Sequence, residues 1–265
     1  MDASTVHRQT GDAWDQAAAL YEQEEADQID GLRSGGSSLL APEQRILGDL
    51  RPWCRRAIHL QCAGGTDTLS LLAQGAETVI GTDISPRMIG VARRKAEALG
   101  APATFFVCDT LEAPRELDGT ADLVYTGRGA LPWMMDINAW AQVTERLLRS
   151  GGKLYVFEGH PLDWVWDMEA DEYRLDPVRG DYFSEQLTDQ RWPNPILMDG
   201  SGEARPKARE HQWTLGAVMN ALVATGLRLA HFEEHPDLYW GQFPNLPADL
   251  AQKLPHTFSL LMSKD

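Results

Sequence analysis

The chain has 265 residues, 43% of them hydrophobic and 24% charged, and 39 acids against 24 bases give a formal charge of -15. That balance suits a soluble globule with an ample core, and it argues against nucleic acid, whose phosphates are gripped by clustered Lys and Arg. No apolar run approaches the roughly 20 residues of a membrane span and the opening MDASTVHRQTGD is too polar for a secretory leader, so the sequence predicts a cytoplasmic protein.

Residues 1–34 read as helical and acidic, with Trp14, Ala18 and Tyr21 at helical spacing. The acids beside them read as a solvated face, and the two aromatics either close over a ligand or pack. Ser34-Gly35-Gly36-Ser37-Ser38 reads as a flexible break, so residues 1–41 are expected to form a helical lid hinged against the rest. A helix over Pro42 to Leu50 then leads into a strand, Ala57 to Cys62, and a turn, Ala63-Gly64-Gly65. A helix over Thr66 to Gly75 and a second strand, Thr78 to Asp83, follow.

Ser85 and Pro86 start the next helix as N-cap and first helical residue, and it runs to Gly100. The third strand is Ala103 to Asp109 and the fourth is Ala121 to Gly127. A helix over Asn138 to Arg149 stops at Ser150-Gly151-Gly152, and a fifth strand, Lys153 to Glu158, exits at Gly159-His160-Pro161. Four βα steps in a row imply a parallel sheet covered by helices. From residue 161 to 213 the rhythm breaks into an aromatic stretch holding Trp164, Trp166, Trp192 and Trp213, which reads either as a substrate cap or as a packing hairpin. Order returns with a helix over Leu215 to Thr225 and strands over Leu227 to Glu234 and Thr257 to Ser263.

In a doubly wound sheet a ligand sits outside the carboxyl ends of the strands. A glycine turn after the first strand and Asp83 after the second suit an adenosine, with amides facing the ligand and the carboxylate taking the ribose hydroxyls. There is no GxGxxG, which a nicotinamide-dependent oxidoreductase would carry after its first strand. Cys54, Cys62 and Cys108 lack CxxC spacing and read as free thiols, and no metal-ligand cluster is visible.

The segments HLQCAGGTDTLSL, VIGTDISPRMI, FFVCDT, ADLVYTGRGALPW and LLRSGGKLYVFEGHP occur in order between Pro42 and Ser263. Through them the chain resembles the class I S-adenosylmethionine-dependent methyltransferases, in the group of small-molecule enzymes related to the ubiquinone and menaquinone methyltransferases. The resemblance implies a Rossmann-like, doubly wound seven-stranded α/β sheet, mostly parallel, whose antiparallel last strand, Thr257 to Ser263, lies beside strand five. Residues 1–265 would then form a single domain: the lid, a cofactor-binding core over 42–160, the cap over 161–213, and a final helix and strands over 214–265.

The resemblance also implies roles. S-adenosylmethionine would be the methyl donor and S-adenosylhomocysteine the product. Asp83 would hold the ribose diol, Ile84 and Met88 would lie against the adenine, and Asp109 would accept from its amino group with Cys108, Thr110 and Leu111 around the ring. Thr126 and Gly127 would flank the methionine part and Arg128 would face the acceptor. The usual first motif has an acid followed by alternate glycines, where this chain has Gln61, Ala63, Gly65 and Asp67; only Gly65 matches. Gln61 would bond the cofactor's amino group, and Asp67 complements a helix dipole.

His160, at the end of strand five, is the candidate base, and Trp14, Tyr21, Trp133 and Trp164 are candidates to line the pocket, their faces suiting a cationic amine or the sulfonium. The reading is methyl transfer to N or O of a small molecule, with a secondary metabolite or quinone-like acceptor compatible with it. The alternative is a non-catalytic protein that keeps the adenosine site. The oligomeric state, homo-oligomer included, is left open.

Overall fold

Short β-branched runs separated by leucine- and alanine-spaced helices fold as alternating strands and helices. The computed structural model describes residues 2–184, 187–189 and 208–265. Its main sheet contains β1 (Arg56–Leu60), β2 (Thr78–Asp83), β3 (Ala103–Val107), β4 (Ala121–Gly127), β5 (Leu148–Gly159), β8 (Arg228–His235) and β9 (Thr257–Ser263), in the order β3-β2-β1-β4-β5-β9-β8. The first five strands pair in parallel. The last strand is inserted antiparallel between β5 and β8, with Thr257 opposite Gly159 and Ser263 opposite Lys153. This is the expected arrangement, in place of the parallel sixth strand of a dehydrogenase.

The strands alternate their buried faces. Val124, Leu154 and Val156 face one core built around the fully buried Trp140, from α6 (Ile137–Leu147), and Leu222, from α7 (Leu215–Ala224). Leu123, Tyr125, Tyr155 and Phe157 face the other, with Leu47 of α3 (Ala41–Leu47) and Leu71 of α4 (Thr66–Ala73). Each such side chain contributes about 1.5–3 kcal/mol of burial, so the sheet is held from both sides and its carboxyl edge is a rigid rim. Helix α5 (Pro86–Leu99) begins as expected, the Ser85 hydroxyl accepting from Met88 N at 3.1 Å, and ends on Gly100.

The N-terminal region is helical as expected, as two helices, α1 (Ala3–Gln23) and α2 (Glu25–Arg33). Two expectations are corrected. The break after these helices is tied down, because Ser38 N donates to Ser70 Oγ at 3.0 Å and the Ser38 hydroxyl donates to Asp67. Strand β5 starts at Leu148, so Ser150 to Gly152 lie inside an irregular strand rather than in a turn.

In the irregular stretch, β7 (Arg209–His211) pairs antiparallel with β6 (Leu187–Asp189) as a separate ribbon. Trp192 lies outside the described residues. A short helix, α8 (Ala248–Ala251), precedes β9. Among the described residues no helix is long and apolar enough to cross a membrane.

Candidate functional site

At the carboxyl ends of β1 to β4, under α1, lies a cleft. Its floor begins where β1 stops. Gln61 and Ala63 take left-handed backbone angles, with φ 57° and 44°, and Gly65 follows at φ 76° as the N-cap of α4. A Cβ on Gly65 would stand 2.6 Å from that of Ala92, so close helix approach requires glycine there. Gln61 Nε2 donates to Ala130 O at 2.7 Å, which ties the β1 turn to the loop after β4. Gln61 Oε1 is buried and has no hydrogen-bond partner.

Asp83, ending β2, accepts from Ala63 N at 2.8 Å and from Ser85 N at 2.9 Å. Burial pushes its carboxyl above the usual range and these amides pull it back. Ile84 and Met88 line the cleft beside it, and Met88 packs beneath Ala17 and Ala18 of α1. A Cβ on Gly11 of α1 would come within 3.2 Å of Ile84, so the helix lies close over this wall.

Asp109, after β3, accepts from Leu111 N at 2.9 Å and bonds His7 Nδ1 at 2.7 Å. Because His7 Nε2 accepts from Met135 N at 3.0 Å, the proton sits on Nδ1 and is donated to Asp109. This latch from α1 escaped the sequence reading. Thr110 lines the cleft, whereas Leu111 packs into the core and the half-buried Cys108, its thiol pushed up to about 11 by burial, is not part of the lining.

At the end of β4, Gly127 is indispensable as glycine, since a Cβ there would fall 1.8 Å from Phe157 O. Gly127 and Arg128 line the cleft, and Thr126 is buried behind them. The Arg128 guanidinium donates to Asp67, Glu43 and Ser38 O. It therefore braces α3 and α4 instead of being a loose charge aimed at an acceptor. Glu158 fixes the same loop from below, accepting from Ala130 N at 2.8 Å, Leu131 N at 3.0 Å, Gly159 N at 2.8 Å and Gly129 N.

Trp14 and Trp133 meet edge to face at 5.6 Å on the roof, and Tyr21, its phenol pushed up to about 12 by burial and by Asp67 and Asp83, completes it. His7, Thr10, Gly129, Ala130 and Met134 also line the cleft and were not anticipated. Two candidates lie elsewhere. His160 accepts from Leu162 N at 3.1 Å and bonds Glu234 at 2.9 Å, so both ring nitrogens are engaged and it is not among the cleft residues. Trp164 lines a second, smaller hollow with Trp213, His211 and Phe258, on the far side of Leu131 and Pro132.

The fold has known counterparts. Residues 57–152 match the methyltransferase domain family. A demethylmenaquinone methyltransferase from Thermus thermophilus is 38% identical over 127 residues, a match covering 43% of this chain and 56% of that relative. Among solved structures, an S-adenosylmethionine-dependent methyltransferase from Mesorhizobium loti superposes over 83% of this chain and 94% of its own, with TM-score 0.60 and 22% identity. The geranyl diphosphate C-methyltransferase from Streptomyces coelicolor, solved with S-adenosyl-L-homocysteine, covers 85% of this chain and 78% of its own, at TM-score 0.57 and 13% identity. Residues 57–152 therefore carry the methyltransferase-domain match, and the sheet order with antiparallel β9 is a fold shared with these S-adenosylmethionine-dependent methyltransferase structures.

Proposed function

We propose that the chain binds S-adenosylmethionine in the cleft and moves its methyl group to N or O of a small molecule. The observation that carries this reading is the row of Gln61, Asp83 and Asp109 at the carboxyl ends of three adjacent strands, all lining one cleft. The residues fit the donor. The unpartnered Gln61 Oε1 is an acceptor for its amino group, and Asp83 keeps lone pairs for two ribose hydroxyls. Ile84 and Met88 offer an apolar wall for adenine, with Asp109 and Thr110 at its edge.

When bound, the donor supplies an activated methyl on a sulfonium. The protein's part is to hold the two reactants in line and to keep water away. In this reading residues 1–41 act as a lid, since α1 supplies His7, Thr10, Trp14 and Tyr21 to the roof, and residues 161–213 act as the cap. Trp14, Tyr21 and Trp133 form the aromatic wall, with Gly127 and the Arg128 backbone opposite the acceptor.

Calorimetric titration with S-adenosylmethionine and S-adenosylhomocysteine, with NAD as control, tests the reading. Micromolar binding of the first two and none of NAD is expected. Absence of both would overturn it, and binding without turnover across an acceptor screen would move the protein to the non-catalytic class.

A further inference from the structure

The peptide group between Met134 and Met135 is bonded on both sides, an arrangement that the methyl-transfer reading leaves unused. Met135 N donates to His7 Nε2 at 3.0 Å, and Met134 O accepts from Trp213 Nε1 at 2.8 Å. In a planar trans peptide the N–H and C=O point opposite ways, so His7 and Trp213 flank the same group from opposite sides. His7 Nδ1 also donates to Asp109 at 2.7 Å. An unbroken hydrogen-bonded chain therefore runs from Asp109 through His7 and the 134–135 peptide to Trp213.

The two ends of this chain lie in different places. His7, Asp109, Trp133 and Met134 line the cleft, whereas Trp213 lines the second hollow with His211 and Leu131. The 134–135 peptide is thus part of the partition between them. Both ends are anchored. Asp109 also accepts from Leu111 N at 2.9 Å, and Trp213 stacks on His211 at 3.6 Å and packs on the core cluster that holds Leu131 and Met134. A peptide bonded at its N–H and its C=O together is polarised so that each bond strengthens the other. Loss of the His7 bond therefore weakens the Trp213 bond, and the reverse.

Helix α1 brings His7 into the chain, and the same helix offers a ligand something to bond. Thr10, one turn beyond His7, lines the cleft, is 4% exposed, and its Oγ1 has no hydrogen-bond partner. A buried hydroxyl without a partner is costly, so a ligand in the cleft that bonds Thr10 favours α1 in its closed place. Trp14 and Tyr21 of α1 add ring contacts from the roof. These are contacts made only with α1 closed, which is what a ligand needs in order to shift the helix between two positions.

We infer that occupation of the donor cleft is transmitted through the 134–135 peptide to Trp213, which makes His7 and Trp213 positioning residues for the Trp133 wall. This rests on the methyltransferase reading and deepens it. Thr10, bonded from within the cleft, holds α1 down; His7 then keeps Met135 N, and the polarised Met134 O keeps Trp213. With α1 raised, Met135 N loses its acceptor, Trp133 loses its contacts with Ala13 and Trp14, and the partition is held from the Trp213 side alone. The wall that an acceptor would meet is thus completed when the donor is in place, which disfavours an acceptor settling where there is no methyl to receive. Ala208 also packs with Ala13 and Trp133, an apolar tie that does not involve the Trp213 N–H.

The test is calorimetry with S-adenosylhomocysteine on the full chain, as wild type, Trp213→Phe, His7→Ala and the double variant. Trp213→Phe removes the indole N–H and keeps an aromatic ring at a position outside the cleft. It is expected to weaken S-adenosylhomocysteine binding about fivefold, and to have no effect once His7 is alanine. A role in stability alone would give the same change in both backgrounds. Unchanged affinity in Trp213→Phe, or an equal loss with and without His7, would overturn the inference. A second reading needs no variant: the indole N–H resonance of Trp213 in the wild-type protein is expected to move downfield as S-adenosylhomocysteine fills the cleft. A resonance that stays in place would overturn the inference even if the variants do not fold. No binding of S-adenosylhomocysteine to the wild type would remove the donor reading and this inference with it, whereas binding without coupling removes the inference alone.

Discussion

Asp83 does two jobs, and replacing it separates them. Its two oxygens accept from Ala63 N and Ser85 N, holding the β1 turn and the start of α5 at a fixed spacing. In Asp83→Ala both amides lose a charged acceptor, at about 1.5–3 kcal/mol each. Part of this is offset, because the buried carboxylate no longer needs desolvating, and the net loss of stability is about 2–4 kcal/mol. The ribose hydroxyls lose their acceptor as well, so affinity for S-adenosylhomocysteine is expected to fall more than tenfold, or about 1.4 kcal/mol. Asp83→Asn keeps one oxygen and turns an amide donor towards the other N–H. It should lose about half the stability of the alanine variant and a similar share of affinity. Urea unfolding gives the first quantity and calorimetry of folded protein the second. Unchanged stability in Asp83→Ala would refute the scaffolding role, and affinity within twofold of wild type would remove Asp83 from the donor site.

Ala63 sits at φ 44°, where a non-glycine residue is strained by roughly 1–2 kcal/mol. Ala63→Gly relieves that strain against about 0.4–1 kcal/mol of added unfolded-state entropy; a stabilisation of about 0.5–1 kcal/mol is expected in urea unfolding, and a loss above 1 kcal/mol would contradict the strained turn. The bond from His7 to Asp109 holds α1 over the cleft, so His7→Ala should speed S-adenosylhomocysteine release about tenfold in stopped-flow measurements, the effect of some 1.4 kcal/mol. Identical release rates would mean the ligand leaves without moving α1. Lys95, fully buried, donates to Gly64 O and Thr66 Oγ1 at 2.9 Å each and to Gln28 of α2, and burial pulls it down to about 8 from 10.5. Between those values the unfolded chain binds more protons, so wild-type stability relative to Lys95→Met should rise from pH 8 to 10.5. A flat difference would show that Lys95 titrates normally.

The parts of the site that were legible in the sequence are those set by local pattern. Acids at strand ends marked the ligand edge, and Thr78–Asp83, Ala121–Gly127 and Thr257–Ser263 fall where apolar alternation puts them. The roof was legible in principle, because His7, Thr10, Trp14 and Tyr21 recur at heptad-like spacing on one face of α1, although only the two aromatics drew notice. Long-range polar pairing was hidden. The Arg128 guanidinium is held by Glu43, 85 residues earlier, which is buried and needs a cation. His160 sits outside the cleft lining and is paired by β8, which brings Glu234 to it from 74 residues away. Neither partner is implied by its neighbours in sequence.

The altered first motif shows why a missing pattern is not a missing site. Alternate glycines matter for the backbone shape they permit, and here Gln61 and Ala63 adopt left-handed angles without being glycine. The cost is met by tethers from outside the turn. Asp83 holds Ala63 N, Ala130 O holds one end of the Gln61 amide, and Lys95 holds Gly64 O. The tethers arrive from the end of β2, the loop after β4 and helix α5, so the turn's shape depends on the folded sheet more than on its own residues. The acid usual at position 61 is replaced by an amide whose free oxygen is buried, and an uncharged acceptor in that place still bonds an amino group but no longer balances a charge. Donor affinity should therefore rest more heavily on Asp83 and Asp109, which is why Asp83 is the residue where the binding and folding roles separate most sharply.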